Sequence, residues 1–154
     1  LSFLRVSAFP FANIVTFVRP HRKHHIKFSN DIRVQVEKAA IKAVSKLYRQ
    51  RGYIIKDVQS NNLGWDLEAS NGIHKLLLEV KGQSGLSPFI RISRNEYEKM
   101  NKNKDIYRLC IVMNAIEEPE IYVFINNNNN TWVLEDDGSI QLNIDEQVAA
   151  IATF

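Results

Sequence analysis

The sequence predicts an α/β domain, on three observations. A helical periodicity runs from Asp31 to Arg51, a β-hairpin signal sits at Ser70-Asn71-Gly72, and strand-like runs rich in Ile, Val and Tyr follow a second, capped helix. With 154 residues and 45% hydrophobic content, the chain can bury one core and needs no second domain.

The first helix rests on Val36, Ala40, Ala43, Val44, Leu47 and Tyr48, which share one apolar arc at about 100° per residue before the stop signal Gly52. Two strands then flank Asn71-Gly72, a pair that tolerates the positive φ angles of a tight hairpin turn. In the second strand, His74 to Lys81, side chains alternate, so Leu77, Glu79 and Lys81 share one face and Leu76, Leu78 and Val80 the other. Phe89 to Ile92 reads as a third strand. Ser93 and Glu96 have the Ser-x-x-Glu spacing of a capping box and open a helix to Asn101. Tyr107–Met113 and Glu120–Ile125 read as two further strands, Asn126–Asn130 as an exposed loop, Asp136-Asp137-Gly138 as a turn, and Asp145 as the start of a short terminal helix.

The chemistry concentrates in the hairpin. Gly64-Trp65-Asp66 and Glu79-Val80-Lys81 put two carboxylates and a lysine on adjacent strands, and the run Leu76-Leu77-Leu78 marks the second strand as buried. Charges there are costly unless they pair or bind metal. Glu37 adds a third carboxylate, because it falls inside the helix's apolar arc and not with Lys38, Lys42 and Arg49. If that helix packs on the hairpin, Glu37 approaches Asp66 and Glu79 and completes an oxygen-rich site suited to Mg²⁺ or Mn²⁺. The competing structural assignments are a solvated hairpin edge for Asp66, a Glu79–Lys81 pair, and a salt bridge from Glu37 to Lys81 or Lys75. Gln83, two residues beyond Lys81, is a candidate for hydrogen-bonding substrate. Trp65 and Tyr53 read as packing residues, and Ser93 and Glu96 as a helix cap.

These residues carry a family resemblance. Glu37-Lys38-Ala39-Ala40, Gly52-Tyr53, Gly64-Trp65-Asp66, Glu79-Val80-Lys81-Gly82 and Ile92-Ser93-Arg94-Asn95-Glu96, in that order between Val34 and Met113, resemble the PD-(D/E)XK nuclease superfamily. Within it they are most similar to the Protein NO VEIN C-terminal domain family, related to Mrr-like restriction nucleases. Trp65 stands where the superfamily's namesake proline would be. The resemblance implies a restriction endonuclease-like core with a four-stranded mixed sheet flanked by helices, Asp66 and Glu79 as metal ligands, and Lys81 near the attacking water. The implied activity is metal-dependent hydrolysis of DNA phosphodiesters, in defence against foreign DNA or in DNA processing, with RNA as the second candidate substrate. Such a reaction needs a Lewis acid for the phosphate and a generated hydroxide, and Asp66, Glu79 and Glu37 are the candidate ligands. Restriction-type nucleases often act as dimers, so a homodimer is a candidate assembly.

Charge divides the chain. Residues 1–30 hold five Arg or Lys, three of the four histidines and no acid, including the run Arg19-Pro20-His21-Arg22-Lys23-His24-His25. Residues 31–154 keep 15 basic against 17 acidic residues, a formal charge of −2. The expected organisation is therefore a basic arm over 1–30, suited to phosphate contact, and a nuclease-like domain over 31–154. Within the domain Lys75, Arg91, Arg94, Lys99, Lys102, Lys104 and Arg108 are candidates for a local basic patch, or equally for a solvated face. Leu1–Val18 is apolar but interrupted by Arg5, Pro10 and Asn13, which argues against a membrane span; its acid-poor composition also suits a transit peptide. The first residue is Leu, compatible with a piece of a larger multidomain protein. The single cysteine, Cys110, lies in an apolar strand and fits a reducing, cytoplasmic setting. The rival function classes are a nucleic-acid-binding module and a protein-interaction module that keep the fold without cutting, the latter favoured by the modest charge.

Overall fold

Six strands form one mixed sheet with a helix packed on each face, in a computed structural model that describes residues 12–13, 26–87 and 89–146. The described elements run β1 (Ala12–Asn13), α1 (Ile26–Gln50), β2 (Ile54–Asp57), β3 (Leu67–Ser70), β4 (Lys75–Gly82), α2 (Arg94–Lys102), β5 (Tyr107–Met113), β6 (Glu120–Asn126), β7 (Trp132–Leu134) and β8 (Leu142–Asn143). In the main sheet the spatial order is β2-β3-β4-β5-β6-β7. Every neighbouring pair is antiparallel except β4–β5, whose parallel pairing requires the crossover that α2 supplies. Strands β1 and β8 form a separate parallel pair.

The alternation in β4 decides the layers. Leu76, Leu78 and Val80 pack with Val36, Ala40, Val44 and Tyr48 of α1, whereas Leu77 packs with Met100 of α2 and with Tyr107, Leu109 and Ile111. Strand β4 is thus covered on both faces, as its unbroken leucine run requires. The arc expected of the first helix is the one that packs, and the helix ends where Gly52 takes φ +84° and donates its N–H to Arg49 O at 3.0 Å. Cys110, Tyr53 and Trp65 all join the apolar clusters, as their packing assignment anticipated.

Several expectations need correction. The main sheet has six strands, not four. Phe89–Ile92 is not a strand: this stretch has no regular structure, and the extra partner of the hairpin is β2, directly after Gly52, where Tyr53 and Ile55 pack beneath α1. Helix α1 begins at Ile26, five residues before Asp31 and inside the stretch assigned to the arm. The hairpin connection is a four-residue loop, Asn71–His74, because the Asn71 carboxamide accepts the N–H groups of Ile73 (3.1 Å) and His74 (2.8 Å) and so organises a wider turn. Asp145 and Glu146 are not helical, and the rest of the expected terminal helix lies outside the described residues. Most of the basic arm does too.

Gly82 explains how α1 reaches the end of β4. A Cβ there would lie 2.9 Å from Ala40 Cβ and 3.0 Å from both Val36 Cγ1 and Val36 O. Helix backbone cannot step aside without the helix moving, so Gly82→Ala is expected to cost about 1–3 kcal/mol in chemical denaturation. Gly85→Ala, which has nothing within 4 Å of the added carbon, is the control and should be near neutral.

Candidate active site

Asp66 sits one residue before β3 and is fixed by its own backbone. Its N–H donates to Leu78 O and its carbonyl accepts from Val58 N, both at 2.9 Å, while its Oδ2 accepts the Val80 N–H at 2.8 Å. Gly64, at φ +90°, makes the preceding turn, where a Cβ would lie 2.6 Å from the Lys99 side chain. The Tyr107 hydroxyl, buried under the sheet, donates to Gly64 O at 2.8 Å. Tyr107→Phe therefore leaves a buried carbonyl without its donor and loosens the turn that presents Asp66. The expected loss is about 1–3 kcal/mol, measured by urea denaturation.

Glu79 and Lys81 share the face of β4 that looks toward α2, as the alternation requires. Glu79 is only 4% exposed. Lys81 Nζ lies 2.7 Å from Glu79 Oε1 and 2.7 Å from Glu96 Oε2, so the ammonium is clamped between a carboxylate of its own strand and one of α2. Glu96 is positioned in turn by the capping box, with Ser93 N–H donating to Glu96 Oε2 at 2.9 Å and Glu96 N–H donating to Ser93 Oγ at 3.3 Å. Asp66, Glu79, Lys81 and Glu96 border a cavity of about 290 Å³, with Arg33 and Glu37 of α1 also lining it.

Four carboxylates face two cations in this cavity, and the ionisation behaviour follows. Burial, reinforced by the neighbouring Asp66 and Glu96 charges, pushes Glu79 up to about 8, although the Lys81 ammonium opposes the shift. Burial also raises Asp66; the Val80 N–H and Lys81 oppose this, and Glu96 and Glu37 add to it. For Lys81, burial works against the charge, but the contacts with Glu79 and Glu96 outweigh it and raise the pKa. Glu96 is lowered, because Lys81 and the Ser93 donors overcome the cost of burial. Carboxyl groups that burial and mutual repulsion push toward their neutral forms are ones whose ionised forms a hard divalent cation would stabilise. The donor set is all oxygen, which fits Mg²⁺ or Mn²⁺ better than a thiophilic metal. Asp66 and Glu79 are the residues that would hold such an ion, although no three His, Cys, Asp or Glu side chains among the described residues are already drawn into a metal-binding group.

The structure gathers Asp66, Glu79 and Lys81 as their spacing suggested, and brings Glu37 to the rim. Glu37 is exposed and not part of the packing face, because α1 passes the end of β4 there and Val36 and Ala40 take the contact above Gly82. Its Oε1 accepts a long 3.4 Å hydrogen bond from Gln59. Its two candidate salt-bridge partners are engaged elsewhere, Lys75 with Glu68 at 3.0 Å and Lys81 with Glu79 and Glu96. Gln83, Arg91 and Arg94 do not line the cavity. Gln83 Nε2 instead donates to Phe89 O at 2.7 Å, tying down the segment between β4 and α2, and Arg94 pairs with Glu98 one helical turn on. Sequence reasoning missed Arg33, Tyr107 and the second role of Glu96, and it quoted Gly64 in the motif without the turn that its positive φ makes. For Glu96 a signal existed: Lys81 faces the side of the sheet that a helix following β4 must cover.

A mixed α/β sheet with a carboxylate–lysine cluster at the open end of its central hairpin is the class of domain that this fold and site define. The chain belongs to the family described as Protein NO VEIN, C-terminal, whose match covers residues 36–124, from the middle of α1 to β6. No curated protein and no solved structure matches it. Among the described residues no helix is long and apolar enough to cross a membrane.

Proposed function

We propose that this domain is a Mg²⁺- or Mn²⁺-dependent phosphodiesterase of the PD-(D/E)XK, restriction endonuclease-like type, acting on DNA. The observation that carries the reading is the convergence of Asp66, Glu79 and Lys81 on one cavity. Asp66 and Glu79 are the residues that would hold the ion, and Glu37 would add its negative charge from the rim of the cavity. When bound, the ion supplies Lewis acidity toward the phosphate and lowers the pKa of the attacking water. Lys81 stays an ammonium beside two carboxylates, so it acts by orienting the water and by offsetting charge on the phosphate oxygens, not as a base.

The second reading is a module of the same fold that binds nucleic acid or a protein without cutting. It is favoured by the 2.7 Å Lys81–Glu79 pair, which already engages one proposed ligand oxygen. Calorimetric titration of Mn²⁺ separates the two. Binding by the wild type that Glu79→Gln abolishes supports the enzyme, whereas absence of binding, with nucleic-acid affinity unchanged by chelator, supports the module.

A further inference from the structure

Glu96 stands in two structures at once. Its Oε2 accepts the Ser93 N–H at 2.9 Å, closing the capping box of α2, and the same oxygen accepts Lys81 Nζ at 2.7 Å. Lys81 is therefore held from two sides, by Glu79 on its own strand and by Glu96 across the gap to the helix. The two carboxylates differ in what else they can do. Glu79 neighbours Asp66, where the cation of the proposed reaction is held. Glu96 is fixed to the first turn of α2. An oxygen of Glu79 that turns to a divalent cation no longer serves the ammonium equally well, since the two cations repel each other across it.

We propose that Glu96 is the positioning residue for Lys81: it keeps the ammonium beside the reacting phosphate when Glu79 turns to the metal. The inference rests on the phosphodiesterase reading. A purely structural role predicts something different, because a capping box needs only an acceptor at this position and glutamine supplies one. Lys81, with its side chain 20% exposed against 22% for Glu96, is shielded enough for the charge itself to matter.

Glu96→Gln keeps the acceptor for Ser93 N–H and removes the charge. Ser93→Ala weakens the cap and leaves the Lys81–Glu96 pair. Under saturating Mn²⁺, Glu96→Gln is expected to lose about tenfold or more in kcat, with KM and the Mn²⁺ dissociation constant within about twofold of wild type. Its thermal midpoint should stay near wild type. Ser93→Ala should show the reverse, a lowered midpoint with kcat nearly unchanged. Wild-type kcat in Glu96→Gln, or kcat falling in step with the midpoint in both variants, overturns the proposal. A readout independent of turnover is the Lys81 side-chain ammonium resonance in ¹⁵N-labelled protein with Mg²⁺. It should be visible in the wild type and lost in Glu96→Gln, and its persistence in that variant also overturns the proposal. Absence of cleavage by the wild type would count against the phosphodiesterase reading, while the resonance would still decide whether Glu96 holds the lysine.

Discussion

Glu79→Gln is expected to flatten the loss of stability that the metal-free wild type suffers as pH rises, while abolishing cation binding. Burial pushes the Glu79 carboxyl up to about 8 from an ordinary 4.5. Between those values the folded state keeps a proton that the unfolded chain has released, so the folded state binds more protons and stability falls as pH rises. The contribution is fully present below the unfolded pKa, declines by about 1.4 kcal/mol per pH unit across the window, and is gone above the folded pKa. Asp66, shifted in the same direction, adds to the fall. Glutamine cannot ionise, and Lys81 keeps Glu96 as partner. In urea denaturation with chelator from about pH 5 to about pH 9, the variant should therefore lose less stability than wild type, by a few kcal/mol at the alkaline end. Adding Mn²⁺ should restore the wild type there and leave the variant unchanged. Parallel curves for the two proteins would show that Glu79 is not held toward its neutral form.

Asp66→Asn is expected to remove metal affinity without disturbing the fold. The carboxamide oxygen can accept the Val80 N–H that Asp66 Oδ2 now accepts, and the backbone bonds to Leu78 and Val58 do not involve the side chain. What disappears is one of the two charges proposed to hold the ion. Even losing a group that only orients a metal ligand costs about 10–100-fold in affinity, so the loss here should reach at least about a hundredfold. Titration of Mn²⁺ by calorimetry, beside circular dichroism to confirm the fold, reads both parts. Metal affinity equal to wild type would move the ion away from Asp66.

Local signals were legible where one periodicity ruled. The arc from Val36 to Tyr48, the alternation of β4 and the Ser93–Glu96 cap each follow from spacing alone, and each packs as expected. The misses have a common cause, since each depends on a tertiary partner. Phe89–Ile92 has strand-like composition, yet Gln83 holds the Phe89 carbonyl and the segment leads straight into the cap of α2, so it joins none of the described strands. Strand β2 is short, and its two charged residues, Lys56 and Asp57, conceal it. Glu37 has the right helical angle for burial, but Gly82 lets the helix run past the sheet end, and an angle does not say where a neighbouring element stops. Within the site, the Asp66–Glu79–Lys81 spacing sufficed because two adjacent strands impose it. Arg33, Tyr107 and the link from Lys81 to Glu96 depend on how helices and strands distant in sequence meet, which spacing along one element does not encode.

The most direct test of the central claim is cleavage of supercoiled plasmid, with a parallel RNA substrate, by the purified wild type in Mn²⁺ beside Asp66→Asn and Lys81→Ala proteins and a chelator control. The account predicts nicked or linear DNA from the wild type alone, lost on chelation and in both variants. Cleavage that survives both substitutions, or an intact plasmid with a folded wild type that binds Mn²⁺, would contradict it.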